Sequence, residues 1–129
     1  MACMLINPIK HVKIADYLKY RDKNLDSQQL LDFALDKVDD MKARDIVKLD
    51  VRETSSITDY LVICTGTSKR HVQSIADHVA KEARHAGETP IGQEGQDVGE
   101  WVLVDLGDVV VHVMQDQTRD FYDLEKLWG

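Results

Sequence analysis

The sequence predicts a mixed α/β (α+β) fold, a five-stranded sheet with three helices, and three observations carry that expectation. Residues 46–52 (IVKLDVR) alternate apolar and polar side chains, as a half-exposed strand does. Residues 59–66 (DYLVICTG) hold an apolar run with no alternation, the mark of a strand buried on both faces. Residues 99–114 (GEWVLVDLGDVVVHVM) form two Val-rich runs joined by Asp105-Leu106-Gly107-Asp108, which reads as a hairpin with Gly107 at the left-handed turn position. At 129 residues the chain has room for one core.

In chain order, residues 1–24 read as a mixed, basic leader with at most one or two helical turns around Ile14 and Leu18. The first firm helix starts at Asp26 or Ser27, good N-caps, and runs to residue 44. Its stripe is Leu30, Leu31, Ala34, Leu35, Val38 and Met41, with Asp32, Asp36, Asp39 and Asp40 pointing away. After the 46–52 strand, expected near an edge, residues 53–58 make a polar turn into the buried strand at 60–64. Thr67 or Ser68 caps a second helix that ends at Gly87, with Val72, Ile75, Ala76, Val79, Ala83 and Ala86 on one face. Residues 88–98 contain Pro90, Gly92 and Gly95, so a short edge strand at Ile91 followed by a loop is expected. The hairpin puts Trp101, Leu103 and Asp105 on one face and Val102 and Val104 on the other; Val109, Val111 and Val113 alternate with Val110, His112 and Met114. Both faces are apolar, so the second needs a cover of its own fold or of a partner. A last helix at residues 118–127, capped by Gln117 or Thr118, presents Phe121, Leu124 and Leu127 on one side.

Charge narrows the function. The net charge is −7, yet residues 1–24 balance to +3, with Lys10, Lys13, Lys19, Arg21 and Lys23 against Asp16 and Asp22, so residues 25–129 carry −10. A body of that sign neutralises phosphates poorly and suits a basic protein better than a nucleic acid. No run approaches the roughly 20 apolar residues of a membrane span, and the first residues do not follow a secretory pattern, so a cytoplasmic protein is expected. Cys3 and Cys64 suggest neither a disulfide framework nor a metal cluster.

Three motifs with catalytic or metal-binding readings are outweighed by plainer ones. The strand, glycine and helix start of CTGTS resemble an anion cradle, but without GxGxxG or GK[ST] ordinary helix capping is the better reading. His71, His78 and His85 recur every seven residues, a rise of about 10.5 Å per step, too far for a shared metal. Ser74 lies between two of them but sits mid-helix, without an oxyanion-hole geometry.

The stretches SSITDYLVICTGTSKRHVQSIADHV, GETPIGQEG, EWVLVDLGDVVVHVM and RDFYDLEKLW together are similar to the Iojap family, the ribosomal silencing factors, over residues 25–129; residues 1–24 fall outside the likeness. The resemblance implies a nucleotidyltransferase-like fold without the activity. It also implies a translational repressor that binds the large (50S) ribosomal subunit through large-subunit ribosomal protein fourteen and blocks joining with the small subunit under nutrient limitation. The residues agree with the missing activity. A transferase of that fold needs paired carboxylates soon after its Gly-Ser, whereas Gly66-Thr67-Ser68 is followed by Lys69, Arg70 and His71.

Two readings stand at this point. In the first the chain is a binding protein with Trp101 as aromatic anchor, Leu106 and Met114 as apolar neighbours, and Asp105 and Asp108 as charge partners. It needs no cofactor or metal, makes at most a minor contact with ribosomal RNA, touches no membrane, and is a monomer or weak homodimer. In the second, a nucleotide-dependent enzyme of the same fold uses CTGTS for phosphate and Asp105 with Asp108 for Mg²⁺.

Overall fold

The computed structural model describes residues 25–128, so the reading of the leader at residues 1–24 lies outside the described residues. Helix α1 spans Ser27–Asp40. Asp26 caps it in a reciprocal box: its carboxylate accepts from the Gln29 N–H, and the Gln29 side chain accepts from the Asp26 N–H. The helix is shorter than its apolar period suggests, because Lys42 turns to φ 60° and Asp45 to φ 50°. Strand β1 (Arg44–Asp50) then begins and ends two residues earlier than the alternation predicts, with an irregularity in its register between Arg44 and Val47.

The remaining elements are β2 (Tyr60–Thr65), α2 (Lys69–His85), β3 (Gly92–Glu94), β4 (Trp101–Asp105), β5 (Val109–Met114), α3 (Asp116–Tyr122) and α4 (Leu124–Trp128). The five strands form one mixed sheet in the order β1-β2-β5-β4-β3. Only β2 and β5 pair in parallel; β1 with β2, β4 with β5 and β3 with β4 are antiparallel. All six residues of β2 are buried, as its unbroken apolar run requires. β3 starts one residue after Ile91, which stays exposed at the edge while its N–H bonds to the Asp105 carbonyl.

Helices α1 and α2 cover one face. Tyr60, Val62, Cys64, Val102, Val104, Val109, Val111 and Val113 point up into the cluster made by Leu30, Leu31, Ala34 and Val38 of α1 and Val72, Ile75, Val79 and Ala83 of α2. Phe33 joins this core although the expected stripe omits it. Lys37 is also buried, its ammonium lying 5.6 Å from the centre of the Phe33 ring and reaching Asp36 and Asp40.

The end of the chain departs from expectation. One helix over residues 118–127 is replaced by two short ones, because Asp123 adopts a left-handed conformation (φ 47°, ψ 58°). That residue breaks the 3.6-residue period, so Leu124 turns inward while Phe121 and Leu127 stay exposed. Arg119 holds the break: its Nη1 donates to Thr65 Oγ1 at 2.8 Å, and its Nε and Nη2 donate to Glu125 Oε2 at 3.2 and 2.8 Å.

Candidate functional site: the half-covered sheet face

The face opposite α1 and α2 carries Leu49, Leu61, Ile63, Trp101, Leu103, Asp105, Val110, His112 and Met114, as the strand registers dictate. The C-terminal helices cover only one end of it, where Leu124 packs on Ile63 and Met114. The other end is an open groove of about 360 Å³ whose floor is Leu61, Leu103 and Val110. Its walls are Ile57 and Thr58 from the β1–β2 loop on one side and Leu124 and Trp128 on the other. Ile57 is 86% exposed, an apolar side chain held in water at the lip.

Trp101 is half-buried at the meeting of the covered and open ends. It packs against the Ile63–Met114–Leu124 cluster, and its ring lies 4.9 Å from that of Tyr122. Its Nε1–H donates to His112 Nδ1 at 3.0 Å. An indole nitrogen can only donate, so His112 must be neutral with its proton on Nε2. Burial agrees, pushing the His112 pKa down to about 4. Behind Trp101, Gly95 takes φ 86° and lies so close to the Trp101 carbonyl that a Cβ there would sit 2.0 Å from its oxygen. Only glycine fits, and the approach fixes the strand that presents Trp101.

The five residues singled out from the sequence separate in space. Trp101 and Asp105 line the open groove. Asp108 is exposed on the turn, where it accepts from the Ser27 hydroxyl. Met114 is 0% exposed and lies beneath Trp101, and Leu106 is buried in the helix-side core, so neither presents a surface. Asp105 accepts from the Gly107 N–H at 2.8 Å and so closes the hairpin turn as well as lining the groove. The groove residues missing from that set include Leu103, Val110, His112 and Ile57. Leu103 lies on the Trp101 face by strand alternation, the available signal; Val110 and His112 share one face of β5, which the β4–β5 register brings to the same side, and Ile57 lies in a turn, where periodicity is silent.

The catalytic readings find little support in the geometry. In the CTGTS loop the Gly66 N–H bonds to the Met114 carbonyl, the Thr67 N–H to His71 Nδ1 and the His71 N–H to Ser68 Oγ. These donors are committed to the fold. A Cβ at Gly66 would lie 2.6 Å from Val72 Cγ2 and 2.9 Å from its nitrogen, so this glycine serves strand-to-helix packing. His71, His78 and His85 each have a separate partner, Met41, Asp40 and Glu82. Burial pushes the Cys64 thiol up to about 12, which keeps it protonated and inert. Among the described residues, no three His, Cys, Asp or Glu side chains gather where they could hold a metal ion, and no helix is long and apolar enough to cross a membrane.

Comparison with known proteins places this geometry. A family model described as "Ribosomal silencing factor during starvation" matches residues 24–129. A ribosomal silencing factor RsfS of Haemophilus influenzae is 48% identical over 100 residues, covering 78% of this chain and 98% of that protein. A chloroplastic protein Iojap of Zea mays is 32% identical over 110 residues, covering 81% of this chain and 46% of the maize protein. Among solved structures, a crystal structure of a Chromobacterium violaceum protein superposes with a TM-score of 0.80 at 42% identity, covering 81% of this chain and 88% of that one.

Proposed function

The chain belongs to the ribosomal silencing factor family, and from that membership we propose that it represses translation by occupying the large ribosomal subunit and blocking its union with the small one. In this reading it is a cytoplasmic binding protein and not an enzyme, and residues 25–129 do the work. The docking surface is the groove on the half-covered sheet face, and the partner is basic: large-subunit ribosomal protein fourteen. The observation that carries this is the apolar groove between Ile57 and Trp128, left open on one sheet face while two helices cover the core of the other.

Charge supports the choice of partner. Asp105 in the groove and Glu94 beside it belong to a body with a net −10, which attracts a basic protein and repels a phosphate backbone. Trp101 supplies the rigid aromatic contact typical of interface centres, with Leu103 and Val110 as its apolar neighbours. Leu106 and Met114 act from beneath by holding the hairpin in shape.

Sedimentation with isolated large and small subunits tests this directly. The wild-type protein is expected to travel with large subunits only, and Ile57→Asp to be released from them while keeping a native circular dichroism spectrum. Sedimentation with small subunits, or undiminished binding by Ile57→Asp, would count against the groove.

A further inference from the structure

We propose that His112 is the polar anchor of the groove, its Nε2–H donating one hydrogen bond to a main-chain carbonyl of an extended, basic segment of the partner. This rests on the groove being the docking surface. Three observations lead to it. First, Trp101 fixes the tautomer: because its indole can only donate, Nδ1 of His112 must accept and Nε2 must carry the proton. Second, that Nε2–H has no partner among the described residues, although Nδ1 is fully engaged and the ring lines the groove. Third, the groove that the ring lines is mostly apolar, with Leu61, Leu103, Val110 and Leu124, and its other non-aromatic polar lining is Ser55, Thr58 and Asp105.

An unpaired donor in an apolar groove favours a ligand that brings an acceptor. The chemistry of that acceptor follows from charge. A carboxylate would face Asp105 in the same groove and Glu94 nearby, so a neutral carbonyl is the better match. An extended segment offers such a carbonyl while its alternate side chains fill the apolar floor and its basic residues meet the acidic rim. Trp101 thereby has two tasks: it contacts the partner and it holds the imidazole in its donating form.

Two substitutions separate this role from mere support of Trp101. His112→Gln places an amide N–H where Nε2–H stood, and His112→Asn places a carbonyl oxygen where Nδ1 stood. Binding of each to purified large subunits, with circular dichroism as the check on folding, is expected to leave His112→Gln near wild type and to weaken His112→Asn about tenfold. The reverse order, equal binding or equal loss would overturn the anchor. Nitrogen-15 spectra of the free protein give a second, partner-independent readout: Nδ1 bare and Nε2 protonated is expected, and the opposite tautomer would overturn it. A wild-type protein that failed to bind large subunits would instead defeat the reading of the groove, whatever the spectra showed.

Discussion

His112 is the residue whose chemistry most depends on the fold. Its pKa is lowered to about 4 by burial, against an ordinary value of 6.5. The unfolded chain therefore takes up a proton below about pH 6.5 that the folded protein refuses. Stability from this group is fully present above pH 6.5 and is lost as the pH falls through the window down to about 4. The loss is on the order of 2 kcal/mol, after allowing for water at the open side of the groove. Thermal melts from pH 7 to pH 5 should show the melting temperature falling for the wild type and a flatter profile for His112→Gln; parallel profiles would mean that the ring is not buried neutral. The sequence alone puts His112 on one face of its strand with Val110 and Met114, and does not show its contact with Trp101. That contact needs the β4–β5 register, in which Leu103 lies opposite His112 and Trp101 opposite Met114.

At the level of elements, periodicity is a good guide wherever the backbone stays regular. The two amphipathic helices, the buried strand and the Val-rich hairpin are all where their patterns put them. The misplaced ends of α1 and β1 and the split of the last helix share one cause, a residue with positive φ that resets the period: Lys42 and Asp45 between α1 and β1, and Asp123 between α3 and α4. The same limit explains the partner residues. The alternation shows Met114 on an apolar strand face, and only the docked C-terminal helices reveal that this end of the face is already covered. Arg119 is the residue that keeps them docked. Arg119→Met should cost about 1–3 kcal/mol, since Thr65 and Glu125 lose their donor and the Thr65 hydroxyl is fully buried. Hydrogen exchange should then quicken at residues 119–127 and binding to large subunits should weaken, because Leu124 and Trp128 form one wall of the groove. Unchanged exchange there would show that the clamp is not what holds the helices.

For the whole molecule, the division of labour follows from one sheet with two unequal faces. The helix-covered face supplies the core, and the other leaves an apolar groove open at one end, the surface proposed for the partner. The acidic body fits that partner being a protein; a protein tracking phosphates would need the opposite sign. On the proposed reading, silencing requires no chemistry, only occupation of the surface that the small subunit needs. Light scattering of mixed subunits measures this most directly. Large subunits preincubated with the protein should fail to form full ribosomes in proportion to the protein bound, and Ile57→Asp should restore joining. Normal joining by large subunits that demonstrably carry the protein would contradict the account.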